Sequence, residues 1–149
     1  MTTAADATLV DTSILVYSTV PVAPWHTEAQ AKLTELKAAG VELWLSRQVL
    51  REYLGALSRP QSYTGAQPMA DLIVNVTQFQ ADYLIAEDGP KVTAELIALL
   101  KIIPCGGKQV HDANIVATML THGISRILTH NVVDFRRFSS HITVLPLVP

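Results

Sequence analysis

The chain has 149 residues, 49% hydrophobic and 16% charged, with a formal net charge of −2, which excludes intrinsic disorder and suits one domain over residues 1–149. A pI near 6.2 provides no global basic field, so any nucleic-acid site must be local. The single cysteine, Cys105, excludes an internal disulfide and fits a reducing cytosol. No run approaches the roughly 20 apolar residues of a membrane span, and no signal-peptide pattern opens the chain. A soluble, cytoplasmic protein is expected.

Ala7-Thr8-Leu9-Val10 is a short apolar run that stops at Asp11, as a buried strand does. Pro24 to Ala39 carries Ala29, Leu33 and Leu36 on one helical stripe and is followed by Gly40. Val41 to Leu45 reads as a second strand, and Ser46 as the N-cap of a helix to about Ser58. Arg59 to Gly65 is turn chemistry. Helical period returns after Pro68 through Leu72, Ile73, Val76 and Phe79, and again from Gly89 to Leu100, with Pro90 suited to the first turn. Ile102-Ile103-Pro104 is too short to assign. Lys108 to His122 is helical and ends at Gly123. Arg126 to Thr129 reads as a strand, Val132 to Phe138 as a short helical turn and Ile142 to Leu145 as a last strand. Short apolar strands alternating with amphipathic helices predict an α/β/α sandwich with a mostly parallel central sheet.

Ligands of open parallel sheets gather at the carboxyl ends of the strands. Asp11, the segment Ser46 to Glu52, and the segment Asn131 to Asp134 all follow strands, and Asp112 opens the helix before a later one. If these acids converge, they form the oxygen-rich site that Mg²⁺ or Mn²⁺ takes. Two carboxylates about 5 Å apart repel by about 3 kcal/mol at an effective dielectric of about 20. A divalent cation would offset that repulsion and could polarise a phosphodiester and activate water.

Each acid also has a structural explanation. Asp11 can cap the following helix, and Glu52 lies off the apolar stripe of its own helix, like a solvated surface charge. Asp112 falls between Ile115, Val116 and Met119 on the apolar face, where an unpaired carboxylate is costly; a first-turn position at a helix N-terminus is the alternative. Asn131 and Asp134 have the spacing of a capping-box-like pair. Arg136 and Arg137, beside Phe135 and Phe138, form a basic-aromatic cluster that could hold an RNA backbone or simply face solvent. Trp25 and Trp44 read as core or interface residues rather than base-stacking platforms. Gly106-Gly107-Lys108 breaks the P-loop pattern, the five histidines lack zinc-ligand spacing, and Cys105 has no activating pair.

With those residues in order, the chain resembles the PIN-domain family, and within it the VapC-type toxin ribonucleases of toxin–antitoxin pairs. The matching pieces are Leu9-Val10-Asp11-Thr12-Ser13, Glu52, His111-Asp112-Ala113, and Ile127 to Phe135, which together span nearly the whole chain. The resemblance implies a metal-dependent endoribonuclease with an acidic pocket. Asp11 and Asp112 would match the principal Mg²⁺ (or Mn²⁺) ligands and Glu52 the third carboxylate. Many members carry aspartate at the fourth position, where this chain has Asn131, with Asp134 one turn on; either would complete the site. Thr12 and Ser13 would line the pocket. RNA, a co-expressed antitoxin and a second copy of the chain are the implied partners. Two rivals are a PIN-like fold that binds RNA or protein without catalysis, and a phosphatase of the haloacid dehalogenase type. The latter needs a second aspartate two residues after the nucleophile, where Ser13 stands.

Overall fold

A computed structural model describes residues 3–149. The chain runs β1 (Thr8–Val10), α1 (Thr12–Thr19), α2 (His26–Ala38), β2 (Leu43–Ser46), α3 (Arg47–Leu57), α4 (Met69–Asp82) and β3 (Leu84–Ala86). It continues through α5 (Pro90–Ile102), α6 (Gln109–His122), β4 (Arg126–Thr129), α7 (Val132–Phe135), a 3₁₀ turn (Arg136–Phe138) and β5 (Thr143–Pro146). The five strands form one sheet in the order β3-β2-β1-β4-β5, and every pairing is parallel. Helices flank the sheet, giving the expected α/β architecture.

The order places β1 at the centre and makes the chain reverse direction across the sheet between β1 and β4. That reversal is a topological switch point, where the loops leaving two neighbouring strands part and open a crevice. Val10 pairs with Leu128, and the Asp11 N–H donates to the Leu128 carbonyl at 3.0 Å. Asp11 and the residues after Thr129 therefore leave the sheet side by side. The central strands are apolar because helices cover both faces: Leu9, Val10, Ile127 and Leu128 are fully buried.

Local chemistry explains most element ends. The Ser46 side chain accepts from the Val49 N–H at 3.1 Å and starts α3. Pro90 sits in the first turn of α5, where its missing N–H costs nothing. Gly123 terminates α6 at φ +69°, a left-handed conformation that glycine adopts freely.

Several sequence expectations need correction. The second helix begins at His26 rather than Pro24, because Trp25 adopts φ +62° and interrupts the right-handed path. The fifth long helix extends through Ile102. Strand β3 was not anticipated: its apolar run Leu84-Ile85-Ala86 has only three residues and follows directly on α4 at the sheet edge, too short to stand out from the helical pattern before it. Phe135 and Phe138 are buried in the core, which removes them from any solvent-facing basic-aromatic cluster. Trp25 is 41% exposed and is not a core residue.

Two glycines should respond in opposite directions. Gly123→Ala is expected to cost about 1 kcal/mol by forcing a side chain into the left-handed region. Gly55→Ala, mid-α3 with nothing within 4 Å of the new methyl, should stabilise by about 0.5–1 kcal/mol. Urea denaturation of both variants measures the pair, and equal shifts would contradict the assigned backbone at residue 123.

Candidate active site

Asp11 is the buried centre of the crevice, only 5% exposed. Two hydroxyls donate to its Oδ2: Thr129 Oγ1 at 2.7 Å and Ser13 Oγ at 3.2 Å. Each hydroxyl in turn accepts a backbone N–H from the loop after β4, Thr129 from Asn131 at 2.9 Å and Ser13 from His130 at 3.2 Å. One carboxylate thus binds the start of α1 to the exit of β4. Burial pushes the Asp11 carboxyl up to about 6, against the lowering effect of Thr129, the Thr12 backbone and Ser13, while the nearby Glu52 charge adds to the rise.

Glu52 is half-buried rather than a free surface charge. Its Oε1 accepts from Thr12 Oγ1 at 3.0 Å, and its Oε2 from Gln48 Nε2 at 3.2 Å, one helical turn earlier on α3. Gln48 is buried and joins two helices. Its amide nitrogen also donates to the His111 carbonyl at 2.8 Å, and its oxygen accepts from Asn114 Nδ2 at 2.9 Å. That bridge ties α3 to the first turn of α6, next to Asp112. Sequence reasoning missed Gln48 and Asn114; the available signal was the four-residue spacing of Gln48 from Glu52.

Asp112 is half-buried in the first turn of α6. Its carboxyl is raised to about 6, first by burial, then by the charges of Asp134, Asp11 and Glu52, with Arg137 opposing them. No hydrogen bond enters that balance. Four acids from four separate segments therefore feel one another at the carboxyl edge of the sheet. Asn131 precedes α7 but makes no side-chain cap, so the capping-box explanation for Asn131 and Asp134 does not hold. The structure brings Asp134 into electrostatic contact with Asp112 and uses Asn131 through its backbone. Arg137 reaches the acids by charge, whereas Arg136 is exposed and enters none of these interactions. Beside the acids, Gln48, Arg51, Glu52, Leu96, Val110, His111 and Asn114 line an open cleft of about 500 Å³.

The donor set is all oxygen and carries mutually repelling charge, which suits a hard divalent cation. Among the described residues, no three His, Cys, Asp or Glu side chains converge closely enough to form a ready metal-ligand group. An ion that keeps several waters, as Mg²⁺ does, would meet part of this carboxylate set through those waters.

No family model matches the sequence, and no curated protein matches it. Solved structures do match. Rickettsia felis VapBC2, crystallised with a DNA fragment from its promoter, aligns with a TM-score of 0.68 and 17% identity over 94% of this chain and 98% of that one. VapBC-1 of nontypeable Haemophilus influenzae aligns at 0.63 and 16% identity, over 96% and 99%. Mycobacterium tuberculosis VapC20, described as a Sarcin-Ricin loop cleaving toxin, aligns at 0.60 and 17% identity, over 81% and 87%. The chain has the PIN-domain fold. Within that PIN fold, the four acids lie at the carboxyl edge of the sheet.

The elevated Asp11 carboxyl has a thermodynamic consequence. Its folded value of about 6 exceeds the ordinary 3.8, so its stabilising neutral form is complete below pH 3.8 and is lost as pH rises through 6. In EDTA, Asp11→Asn should therefore stabilise the protein by about 1–3 kcal/mol at pH 8 and have little effect near pH 4. Denaturant melts at the two pH values check this; a variant no more stable at pH 8 would show that the Asp11 charge is fully compensated.

Proposed function

We propose that this chain is a Mg²⁺- or Mn²⁺-dependent endoribonuclease and the toxin of a toxin–antitoxin pair. The observation that carries the reading is the gathering of Asp11, Glu52, Asp112 and Asp134 from four segments at the switch point, with Asp11 and Asp112 both raised. Asp11, Asp112 and Glu52 would hold the cation, and Asp134 would complete the site in preference to Asn131, whose part is played by its N–H. A bound cation would supply Lewis acidity and a water activated for in-line attack on a phosphodiester. Thr12 and Ser13 would fix the carboxylates that face it. Arg137 and the exposed Arg136 would attract the RNA backbone. RNA as the substrate class draws support from the cleavage described for VapC20. An antitoxin partner draws support from neighbours solved as VapBC complexes and as a toxin–antitoxin complex from Klebsiella pneumoniae. Exposed apolar side chains on α4 (Met69, Ile73, Val74) and α5 (Ile97, Ile102) offer surface for that partner or for a homodimer. No helix in the described residues is long and apolar enough to cross a membrane.

The lack of a ready three-ligand group favours one alternative, a PIN-like module that binds RNA or protein without cutting. End-mapping of total bacterial RNA incubated with purified protein and Mg²⁺ or Mn²⁺ separates the two. New discrete ends that vanish with EDTA and fall more than about 100-fold in Asp112→Asn are expected. Asp134→Asn should cost about 10- to 100-fold and Asn131→Ala much less. Folded, antitoxin-free protein that yields no new ends with either metal would overturn the nuclease reading and leave the silent module.

A further inference from the structure

Trp25 is the one non-glycine residue with positive φ among the described residues, at φ +62° and ψ +16°. Bulky side chains rarely adopt that conformation. A glycine would hold the turn without strain, and the tryptophan there is 41% exposed rather than buried in the core. Strain of this kind persists only where its surroundings over-determine it, and it clusters at functional sites.

The surroundings here are specific. Pro24 precedes Trp25, the His26 N–H donates to the Ala23 carbonyl at 3.3 Å, and the Ala29 N–H donates to the Trp25 carbonyl at 2.8 Å. His26 Nδ1 lies 2.7 Å from the Tyr17 carbonyl, fastening the start of α2 to α1. The indole lies against the His130 ring, centroids 5.6 Å apart and planes 38° apart. Tyr17 braces His130 from its edge, at 5.4 Å and 75°. His130 also connects this group to the acids: its N–H donates to Ser13 Oγ, which donates to Asp11 Oδ2.

We propose that Trp25, backed by His130 and Tyr17, is a stacking platform for an unpaired nucleobase of the substrate, beside the acidic pocket. The inference rests on the RNA-cleaving reading and adds to it a substrate class, RNA with a splayed, single-stranded base near the cut. A flat aromatic surface suits a base face, whereas a phosphate could use only the indole Nε1–H. Stacking of this kind tolerates any base, so the platform fixes the strand's position rather than its sequence. Trp25 is in these terms a positioning residue.

The chain has two tryptophans, so Trp44→Phe leaves Trp25 as the sole indole reporter, and Asp112→Asn in the same protein suppresses cleavage. With Mg²⁺ present, titration with a short single-stranded RNA should quench Trp25 emission at the midpoint at which a fluorescein-labelled copy gains anisotropy. Trp25→Gly should weaken RNA binding by about 5- to 100-fold, while relief of the left-handed strain offsets the packing lost against His130 and keeps the shift of the thermal midpoint small. Trp25→Tyr should retain most of the affinity. Anisotropy that rises while emission stays unchanged, or wild-type affinity in Trp25→Gly, would overturn the platform and leave the RNA reading intact. A marked fall in the thermal midpoint of Trp25→Gly would assign the residue to folding and count against the platform. No anisotropy change with any RNA would overturn both.

Discussion

The site depends on one buried carboxylate that has no cation of its own. Asp11 ends the central strand, where the chain reverses across the sheet, and two hydroxyls rather than a basic side chain satisfy its Oδ2. Those hydroxyls each draw a proton donor from the backbone after β4. The carboxylate, two side chains and two peptide groups therefore form a single network in which each member polarises the next. Removing one hydroxyl takes a donor from the carboxylate and strands a backbone N–H, so the cost exceeds that of one hydrogen bond. Through this network the sheet's geometry fixes where the loop carrying His130 and Asn131 can lie.

Helix N-termini supply the remaining compensation. Asp11 stands at the N-cap of α1, Asp112 in the first turn of α6 and Asp134 at the start of α7. A helix terminus contributes about 0.3–1 kcal/mol to an adjacent anion, whereas two carboxylates about 5 Å apart repel by about 3 kcal/mol at an effective dielectric of about 20. The helix ends cannot cancel a cluster of four acids that is also partly buried. The residue of that imbalance is visible in Asp11 and Asp112, both held near 6. Carboxylates perturbed in this way mark the cluster as a candidate functional site.

How much of this was legible in the sequence depended on whether a residue's role is written in its neighbours. β1 and β4 were readable because their apolar runs stop abruptly at Asp11 and His130, and Ser46 because capping is local. Asp112 was conspicuous as a carboxylate on an apolar helical face. Glu52 was not, since its own helix presents it as a surface residue, and the contact that ties it to the end of β1 comes from Thr12, forty positions away in the chain. Gln48 left only its four-residue spacing from Glu52 as a hint and Asn114 none, because an amide that joins α3 to α6 has meaning only once the helices are packed. β3 was lost to its three-residue length directly after α4, and the left-handed backbone at Trp25 is not encoded by any dipeptide rule. The long-range half of the site is the half that sequence periodicity does not carry.

The charge distribution constrains how a polyanion could use such a pocket. At physiological ionic strength, fields between exposed charges fade over about 8 Å, so the net charge of −2 matters less than what borders the acids. Arg51 lines the cleft beside Glu52, Arg137 acts on Asp112, and Arg136 is exposed on the same short turn. The pocket's acids repel a phosphate while this rim attracts one. Under the proposed reading, RNA would be held at the rim and at the Trp25 surface first, and its scissile phosphate would enter only once a divalent cation had offset the carboxylates. Because burial and neighbouring charge raise the Asp11 and Asp112 carboxyls, cation binding there would release protons. Under that reading, binding of the metal, ionisation of the acids and admission of the phosphate would become one coupled equilibrium, centred on the carboxylate at the end of the central strand.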